Sequence, residues 1–510
     1  MSTRPALPTG WVESPLGAYL ENCDSRRVPV KDADRKQRQG PYPYYGASGQ
    51  IDTIDGYLFD GEYLLLGEDG ANLLSRSKPI AFQAHGRFWV NNHAHIFRTY
   101  AACPLAFVEH YLNSIDLSPY VTGTAQPKLP QGLMNKISLV VAPLVEQQRI
   151  VEALDSYLTR LDAATEGLKR VEANLKRYRA SVLKAAVEGN LVPTEAELAK
   201  KEKREYEPAS ILLERILKER RHRWEQAELA KMKAKGEVPK NDKWKDKYEE
   251  PATPDTSELP ELPEGWCWAT VEQLASDEPR SIQSGPFGSN LLHSEFRPTG
   301  KLVVGIDNVQ DGYFSMGSEN RISEEKFSSL ARYSARPGDV LVTVMATIGR
   351  SCVVPSGLEP AIITKHVYRI TSDSALVTPR CLHLALWGSP TVREQMFGQV
   401  QGQTRPGLNG EILRRLCIPL PARGEQDRIV AAVESGLSKV DTLRVMVSKG
   451  LSHIARLRQS ILRWAFEGKL VDQDPNDEPA SVLLERMRSE REASQPVKTF
   501  KPEPATRKTA

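Results

Sequence analysis

Polar side chains stand in two short phrases at matching places in the chain. Thr124-Ala125-Gln126-Pro127-Lys128-Leu129 precedes one long helical segment, and Thr404-Arg405-Pro406-Gly407-Leu408 precedes another. A glutamine amide suits the edge of adenine, and lysine or arginine suits guanine edges or phosphates. The candidates for such contacts are Gln126, Lys128, Thr404 and Arg405. The alternative is that each phrase is only a proline-containing turn that anchors a domain on its helix.

A histidine phrase occurs ahead of each of these turns, as Asn91-Asn92-His93 and Thr364-Lys365-His366. Such residues could face DNA or act in acid–base catalysis, whereas a satisfied structural histidine is the plainer alternative. The turn Gly285-Pro286-Phe287-Gly288-Ser289 offers backbone donors that could approach phosphate, although a plain tight turn explains it equally well. The candidates from these phrases are Asn92, His93, Ser289, Lys365 and His366.

Three histidines, His85, His93 and His95, lie close together in sequence. No carboxylate or cysteine at metal-ligand spacing accompanies them, so no metal site is predicted. The sequence has no Gly-x-x-x-x-Gly-Lys-Ser/Thr loop and no glycine fingerprint after a strand. It also lacks the Asn/Asp-Pro-Pro-aromatic segment with which amino-methyltransferases hold a target base. We therefore predict no catalytic and no cofactor-binding residues in this chain.

Basic residues are concentrated in the C-terminal half of each long helical segment. They could contact DNA phosphates, or they could form a solvated face that complements the carboxyl end of the helix. The candidates are Lys176, Arg179, Arg456 and Arg458.

The elements that would position these residues are repeated within the chain. Glu146-Gln147-x-Arg149-Ile150-Val151 returns as Glu425-Gln426-x-Arg428-Ile429-Val430, and each copy opens a helical segment. Three further phrases recur around them. They are Leu-Pro-x-Gly-Trp at 7–11 and 262–266, Glu-Gly-x-Leu-Val at 188–192 and 467–471, and Pro-Ala-Ser-x-Leu-Leu-Glu-Arg at 208–215 and 479–486. A duplicated chain of this kind can present two related surfaces about a pseudo-twofold axis.

Both helical segments carry apolar residues at spacings of three, four or seven, which is typical of a coiled-coil seam. The first seam runs from Ile150 to Val182 and includes Val171 and Tyr178. Each segment ends at a glycine that suits a left-handed helix cap. About 44 residues at ~1.5 Å each would give helices of ~65 Å, and the other repeat is the nearest candidate to cover the seam.

Composition is that of a globular protein, with 40% apolar and 26% charged residues among 510 and a net charge of +3. The nearly neutral balance neither demands nor excludes a nucleic-acid partner. Six scattered cysteines without a Cys-x-x-Cys pair predict reduced thiols in a cytoplasm. The predicted boundaries are 1–145 and 262–421 for two β-rich domains, 146–192 and 422–493 for helical repeats, 193–261 for a charged helical segment and Pro-rich linker, and 494–510 for a disordered tail.

The order of these phrases resembles the specificity subunit of type I restriction–modification enzymes. Residues 44–49 and 57–72 resemble one target-recognition domain of that family, and residues 284–289 and 337–350 resemble a second. The resemblance covers about residues 7–490, and its strength lies in the order and duplication of the motifs. It implies an α+β fold in which two β-rich α/β target-recognition domains are separated by a long antiparallel two-helix coiled coil with an internal pseudo-twofold repeat.

The resemblance also implies a non-catalytic, sequence-specific DNA-binding role. Each domain would read one half of a bipartite, asymmetric double-stranded DNA target, and the helices would set the spacing and dock two modification (methyltransferase) subunits. Two restriction (motor-nuclease) subunits would join through the complex. S-adenosylmethionine, ATP and Mg²⁺ are expected in those partner subunits and not in this chain. A coiled-coil scaffold that does not read DNA is the alternative.

Overall fold

The computed structural model describes residues 6–100, 103–123, 125–237, 239, 241–317, 319–398 and 407–494. The chain divides into two compact units. Unit 1 comprises Met1–Arg170 and Val447–Ala510, and unit 2 comprises Val171–Met446. Each unit therefore holds one β-rich domain, which we call domain 1 (residues 6–143) or domain 2 (residues 262–422), and parts of both long helices. The tail predicted to be disordered lies, beyond residue 494, outside the described ranges.

Domain 1 consists of eight strands, five short α-helices and two 3₁₀ helices (Asp24–Arg26 and Ser118–Tyr120) among its described residues. The strands are β1 (Val12–Pro15), β2 (Leu20–Asn22), β3 (Tyr42–Gly46), β4 (Gly49–Ile54), β5 (Phe59–Gly67), β6 (Ala81–Val90), β7 (Ala94–Thr99) and β8 (Ser138–Val141). The helices are α1 (Leu16–Tyr19), α2 (Asp32–Lys36), α3 (Asn72–Ser75), α4 (Leu105–Ser114) and α5 (Gln131–Met134).

Six of these strands form one sheet in the order β2-β7-β5-β6-β3-β4. All neighbours are antiparallel except β3 and β6, where Tyr44 stands opposite Trp89 in a parallel pair. The first and last strands pair separately, with Val12 opposite Val141, so the domain begins and ends in one ribbon. That ribbon delivers the chain directly to the long helix.

The helical part begins with α6 (Leu144–Val187) and continues through a charged segment to domain 2. That segment contains α7 (Glu195–Glu202) and α8 (Ala209–Ala234). Within the described residues no helix is long and apolar enough to cross a membrane.

Domain 2 repeats the plan of domain 1 with shorter strands. The strands are β9 (Cys267–Thr270), β10 (Ile282–Ser284), β11 (Lys301–Val304), β12 (Asn320–Ile322), β13 (Ser334–Ala335), β14 (Val340–Thr343), β15 (Ser351–Val353), β16 (Ala361–Ile363), β17 (Val367–Ile370) and β18 (Cys417–Leu420). The α-helices of domain 2 are α9 (Val271–Leu274), α10 (Glu324–Ser329), α11 (Pro379–Gly388), α12 (Pro390–Gly398) and α13 (Gly410–Arg415). The chain then continues into the second long helix, α14 (Arg423–Phe466), and ends in the shorter helix α15 (Ala480–Ser494).

The sheets of domain 2 have the orders β10-β17-β14-β15 and β12-β11-β16-β13. Their single parallel pair, β11 with β16, corresponds to β3 with β6 in domain 1, because each is followed by the equivalent histidine phrase. The ribbon β9–β18 again places the start of the domain beside its end, with Cys267 opposite Leu420. The expected α+β class with two β-rich domains is confirmed.

The two long helices have 44 residues each and pack antiparallel within each unit. In unit 1, Asp162 of α6 pairs with Arg458 of α14, and a Cβ on Gly450 would touch Leu168. In unit 2 the equivalent pair is Arg179 with Asp441, whose atoms lie 3.6 Å apart. An antiparallel pair between the repeats was the sequence prediction.

The predicted seam is only partly buried. Ile150, Leu154 and Val182 lie in cores, whereas Val171 is 42% exposed and Tyr178 is 52% exposed. The other repeat was the predicted cover for the seam, and it leaves these two residues exposed. A pair of helices buries only the residues that face each other, and a continuous apolar pattern does not show where that contact stops.

Glycine ends both long helices, as predicted. Gly189 and Gly468 have φ of +71° and +67°. The next amide in each case reaches back to the helix, from Asn190 to the Ala185 carbonyl and from Lys469 to the Trp464 carbonyl, both at 2.8 Å. A Cβ on Gly189 would overlap Pro263, and one on Gly468 would overlap Pro8. The repeated glycine is therefore required by conformation and by contact.

All four repeated phrases meet in one place in each unit. We call the set in unit 1 junction 1 (residues 7–11, 146–151, 467–471 and 479–486) and the set in unit 2 junction 2 (residues 262–266, 425–430, 188–192 and 208–215). The Gly10 carbonyl accepts from the Ala480 amide at 2.9 Å, and the Gly265 carbonyl accepts from the Ala209 amide at the same distance. Each domain is thereby fastened to the start of its own long helix and to the segment after the other one.

The Glu-Gln-x-Arg phrase supplies the side chains of each junction. In junction 1, Trp11 Nε1 donates to Glu146 at 2.9 Å, Gln147 accepts from Tyr19, and Arg149 pairs with Asp477 at 2.6 Å. Both the glutamate and the glutamine are almost fully buried. Burial raises the pKa of Glu146, and the indole hydrogen bond only partly offsets it.

Junction 2 uses the equivalent side chains, and only the tryptophan–glutamate contact has the same partners. Trp266 Nε1 donates to both oxygens of Glu425 at 3.1 Å, and Gln426 accepts from the Thr378 amide at 2.9 Å. Arg428 pairs with Glu195 at 2.7 Å, in the segment that follows α6. Burial also raises the pKa of Glu425. The repeat in the sequence is thus a repeat of intramolecular contacts.

Candidate nucleic-acid interface

Three loops of domain 1 meet at the end of β5, and we call them platform 1 (residues 68–70, 91–93 and 126–129). The Glu68 amide donates to the His93 carbonyl at 2.8 Å, and its own carbonyl accepts from the Leu129 amide at 2.7 Å. The Gly70 amide donates to the Pro127 carbonyl at 3.0 Å. The histidine phrase and the Gln126-x-Lys128 phrase, distant in sequence, are therefore brought together by one strand end.

Domain 2 builds the same arrangement at the end of β14, which we call platform 2 (residues 344–346, 364–366 and 407–408). The Val344 amide donates to the His366 carbonyl at 3.0 Å, and the Val344 carbonyl accepts from the Leu408 amide at 2.9 Å. Ala346 has a φ of +61°, and Gly70 at the equivalent position of platform 1 has +103°. The two platforms thus share their backbone hydrogen bonds and the left-handed residue.

Platform 1 exposes polar side chains. Asn92, His93, Gln126 and Lys128 are all exposed to solvent. His93 Nδ1 lies 2.7 Å from a carboxylate oxygen of Asp69, and Lys128 Nζ lies 3.2 Å from Glu68. Amide, imidazole and ammonium groups on one surface can donate to and accept from base edges and phosphates.

Among its described residues, platform 2 presents fewer polar groups and more apolar surface than platform 1. Lys365 is exposed, His366 is partly buried, and Met345 is 36% exposed. The pKa of His366 is lowered by burial and then by the charge of Lys365, so its ring is neutral at neutral pH. The predicted candidates Thr404 and Arg405 lie outside the described residues.

The turn that carries Ser289 lies against platform 2. The Gly285 amide donates to the Val367 carbonyl at 3.3 Å, and a Cβ on Gly285 would overlap the backbone of Ile363 and Thr364. Ser289 is exposed, and Phe287 in the same turn is 58% exposed. The hydroxyl oxygens of Thr347 and Thr364 are enclosed without a hydrogen-bond partner, so this region keeps unused donors.

A charged cluster lies beneath platform 1, made of Asp24, Arg27, Glu68, His95 and Lys128. Arg27 bridges both acids, at 3.3 Å to Asp24 and 2.8 Å to Glu68. His95 is 1% exposed, with Nδ1 2.6 Å from Asp24 and Nε2 2.9 Å from the Leu129 carbonyl.

The two acids and the histidine of this cluster are close enough to resemble metal ligands, since their ligand atoms lie within 4.8 Å of one another. Both ring nitrogens of His95 are already hydrogen-bonded, and the Arg27 guanidinium already supplies the positive charge to both carboxylates. The geometry is that of an ion-pair network, and a metal ion would have to displace it. His85 and His93 face other partners, Glu62 and Asp69.

The cations predicted on the long helices have different surroundings. Lys176 and Arg456 are exposed, and Lys176 lies 3.8 Å from Glu172. Arg458 is paired with Asp162, while Arg179 lies 5.2 Å from the Trp387 ring centre in addition to its pair with Asp441. Arg458 therefore joins the two long helices within unit 1. Arg179 joins the two long helices within unit 2 and also contacts domain 2.

Sequence reasoning missed three residues that shape the platforms. Asp69, which is partly buried, and Met345, which is exposed, occupy equivalent positions, and Glu68 connects platform 1 with the cluster beneath it. All three follow a buried strand directly and precede a turn. That position was the signal available in the sequence. The loops that hydrogen-bond to these residues are far away in sequence, so the sequence alone did not identify the platform.

Comparisons with known proteins agree with this architecture. The family model for the type I restriction modification DNA specificity domain matches residues 8–173. The type I restriction enzyme EcoBI specificity subunit of Escherichia coli is 25% identical over 468 residues, which is 88% of this chain and 83% of that relative. The EcoDI specificity subunit of Escherichia coli is 23% identical over 513 residues, which is 96% of this chain and 97% of that relative.

A solved structure has a similar fold. It is described as the structural basis underlying complex assembly and conformational transition of the type I R-M system, and its chain has a TM-score of 0.58 at 16% identity. The match covers 91% of this chain and all of that chain. With two β-rich domains, two long helices and relatives matched over most of its length, the chain is similar to the specificity subunits of type I restriction–modification enzymes.

Proposed function

We propose that platform 1 and platform 2 each read one half of a bipartite, asymmetric DNA target. The observation that carries this proposal is the shared backbone of the two platforms together with their different side chains. A common framework would place both on DNA in the same way, while Gln126 and Asn92 in one and Lys365 and Met345 in the other would read different bases. A side chain with a good bidentate contact contributes ~1–3 kcal/mol of discrimination.

The test uses the complex of the full chain with its modification subunit. Mapping the methylated bases in the host genome gives the target, and duplexes altered in one half-site then measure discrimination. Gln126→Ala should lower discrimination about tenfold at one half-site only, and Lys365→Ala should do so at the other. The matched controls are Gln131→Ala and Lys243→Ala, which replace exposed residues of the same types outside the platforms. Equal loss at both half-sites with either variant contradicts the proposal.

The long helices set the distance between half-sites on this proposal. Inserting seven residues in each, after Arg170 and after Lys449, adds two turns and ~10 Å, which is about three base pairs. The preferred spacing should grow by that amount while the half-sites stay the same. An insertion in one helix alone should abolish methylation because it breaks the antiparallel register. An unchanged spacing in the double insertion would contradict the role of the helices.

Two modification subunits dock on equivalent exposed positions of the repeat. Ile211 is 53% exposed and Val482 is 37% exposed, whereas the neighbouring Ala209, Leu212, Ala480 and Leu483 are buried in the junctions. Each is flanked by the same ion pair, Arg215 with Glu207 and Arg486 with Glu478. Exposed apolar residues at matched positions fit two copies of one partner.

Val482→Glu should leave a complex with one modification subunit, and Ile211→Glu with Val482→Glu should leave none. Native mass spectrometry gives the count directly. Leu229→Glu is the control, since Leu229 is 39% exposed on α8 outside the repeat. Restriction subunits would join through this complex, and S-adenosylmethionine, ATP and Mg²⁺ would be bound by the partner subunits. Two bound modification subunits in the double variant would contradict this docking surface.

A further inference from the structure

The turn after β10 carries an exposed aromatic ring on a fixed base. Gly285 and Pro286 are buried, whereas the next residue, Phe287, is 58% exposed. A Cβ on Gly285 would overlap the backbone of Thr364, so the start of the turn lies directly against platform 2. The Phe287 carbonyl accepts from the side-chain amide of Asn290 at 3.0 Å, which closes the turn on its other side. The ring is therefore presented to solvent from a turn that is held at both ends.

The sheet places this turn in register with the histidine phrase of platform 2. β17 lies between β10 and β14 and runs antiparallel to both. The pairing continues past the strand ends, because the Gly285 amide donates to the Val367 carbonyl and the Val344 amide donates to the His366 carbonyl. Residues that follow Gly285 and Val344 therefore lie on opposite sides of the residue that precedes His366, which is Lys365.

Two exposed apolar side chains thus flank Lys365. Continuing the antiparallel register by two residues on the β10 side and by one on the β14 side brings Phe287 and Met345 level with Lys365. Met345 is 36% exposed. A Cβ on Gly288, the residue after Phe287, would meet nothing within 4 Å, so the space beside the ring is open. The ammonium group proposed to contact a base therefore has an accessible ring on one side.

Domain 1 has no such ring at the equivalent place among its described residues. Asn92 and Asp69 stand where platform 2 has Lys365 and Met345. The pairing of β2 with β7 ends before this level, because the chain turns into the 3₁₀ helix Asp24–Arg26. The residues of platform 1 include no phenylalanine, tyrosine or tryptophan. The ring is therefore a difference between the two domains and not part of their common framework.

An exposed apolar ring beside a base-reading group suits contact with the faces of bases. Bases present their flat faces only where the stack is opened, and proteins open it by inserting apolar side chains between base steps. Flexible pyrimidine–purine steps open most easily, so such an insertion favours particular sequences without a hydrogen bond to them. A single exposed apolar residue is ordinary on a protein surface. The fixed turn and the position beside Lys365 distinguish Phe287 from such residues.

We propose that Phe287 inserts its ring at a base step beside the base that Lys365 contacts, so that platform 2 unstacks its half-site while platform 1 reads its own half-site without unstacking it. The inference rests on the proposed function of the platforms in reading DNA. Because the turn of Phe287 is continuous with platform 2, duplex DNA is favoured over the modification subunit as the partner of the ring.

The experiment uses the full chain in complex with its modification subunit and duplexes that carry 2-aminopurine at one position at a time in each half-site. The methylated adenines are left in place, because an enzyme that modifies a base takes it out of the stack in any case. The fluorescence of 2-aminopurine rises when the base is unstacked. Binding of the natural protein should raise it at one step of the half-site read by platform 2. Phe287→Ala should abolish that rise and weaken binding of the target about tenfold, and probes in the half-site read by platform 1 should stay stacked in both proteins.

Variants of the same segment test the ring itself. Phe287→Tyr keeps the ring and should keep the fluorescence rise. Phe287→Gln removes the ring as Phe287→Ala does, and it is the second variant should Phe287→Ala fail to fold. Leu292→Ala is the matched control, since Leu292 is 48% exposed further along the same segment and its loss should leave binding and fluorescence unchanged.

Two other contacts of the ring are separated by further measurements. If the ring contacts a thymine methyl group on stacked bases, no probe brightens, and one substitution of deoxyuridine for thymidine weakens the natural complex as Phe287→Ala does. If the ring contacts the modification subunit, native mass spectrometry shows fewer modification subunits bound to Phe287→Ala. Either outcome overturns the inference.

A fluorescence rise that persists in Phe287→Ala, or one that occurs at both half-sites, would also overturn it. Failure of the proposed function looks different: Gln126→Ala and Lys365→Ala would then leave discrimination unchanged at both half-sites.

Discussion

Junction 1 and junction 2 share their side chains as well as their backbone, since Trp11 and Trp266 bind equivalent glutamates and Arg149 and Arg428 bind equivalent segments. Platform 1 and platform 2 share only backbone hydrogen bonds, and Glu68 in one is replaced by Val344 in the other. The junctions must each accept a domain and the end of the other helix, so a change in one residue needs a matching change elsewhere. The platforms carry their framework in the backbone, which leaves their side chains free to differ.

The largest test of this difference removes the cation beneath platform 1. Arg27→Met should destabilise unit 1 by about 3–5 kcal/mol, because Asp24 and Glu68 would lose the guanidinium that bridges them and keep only His95 and Lys128 as partners. Urea unfolding followed by tryptophan fluorescence measures the loss. Arg87→Met is the control, since Arg87 and Asp60 are each more than half exposed and such pairs contribute only ~0–1 kcal/mol. Equal effects of the two variants would show that the cluster is not what supports platform 1.

A second test asks whether the junctions are energetically equivalent. Trp11→Phe and Trp266→Phe keep an aromatic ring but leave a buried carboxylate without its indole donor, so each should cost about 1–3 kcal/mol. Thermal unfolding of each variant gives the comparison. Trp268→Phe should cost less, because that indole binds the Pro260 carbonyl at an exposed site. A large cost in one junction and none in the other would break the equivalence.

The buried glutamates give the junctions a pH dependence. Burial raises the folded-state pKa of Glu425 above its unfolded value, so the folded state binds more protons between the two values. The contribution of Glu425 to stability therefore falls as pH rises through that window and is constant above it. Glu425→Gln removes this slope, so the variant should gain stability relative to the natural protein as pH rises above the ordinary pKa of a glutamate.

Melting temperatures across that range measure the effect of Glu425→Gln. Glu146→Gln should behave in the same way, since burial raises that pKa too. Glu205→Gln, at an exposed position, should change nothing. A slope of opposite sign in either junction variant would show that the carboxylate is stabilised and not penalised by its surroundings.

The smallest effects are expected where the helices pair. Arg458→Ala should cost ~0.2–1 kcal/mol, as for other exposed ion pairs. Arg179→Ala should cost ~0.5–1 kcal/mol more, because Arg179 also lies over the Trp387 ring. Double-mutant cycles with Asp162→Ala and Asp441→Ala isolate the pair energies. Equal destabilisation by Arg458→Ala and Arg179→Ala would show that the contact with the Trp387 ring does not contribute to stability.

Much of the architecture was predictable because it depends on local patterns. The helix period, the glycine caps at Gly189 and Gly468, and strands such as Tyr63–Leu66 within β5 are all visible in short windows. The exposure of Tyr178 was not, because the extent of contact between two helices is a tertiary property. The repeated phrases were visible as repeats, but their meeting in a junction was not. Trp11 and Glu146 are separated by 135 positions, and nothing local pairs them.

The candidate site shows the same limit. Gln126, Lys128, Asn92 and His93 were found from residue type and resemblance, and the structure brings them to one platform. Their contacts with DNA stay predictions. The contacts of His95 could not be predicted, since they join it to Asp24 from a preceding turn and to the Leu129 carbonyl from a later loop.

The composition of the junctions also bears on what a single cut in the chain would do. A protease acting near Ser257 would produce two fragments, each with one domain and one long helix. Unit 1 takes α15 and the end of α14 from the second fragment, and unit 2 takes α7, α8 and the end of α6 from the first. The fragments would be interlocked at two places, so we expect the nicked protein to elute as one species and the separately expressed halves to complement each other.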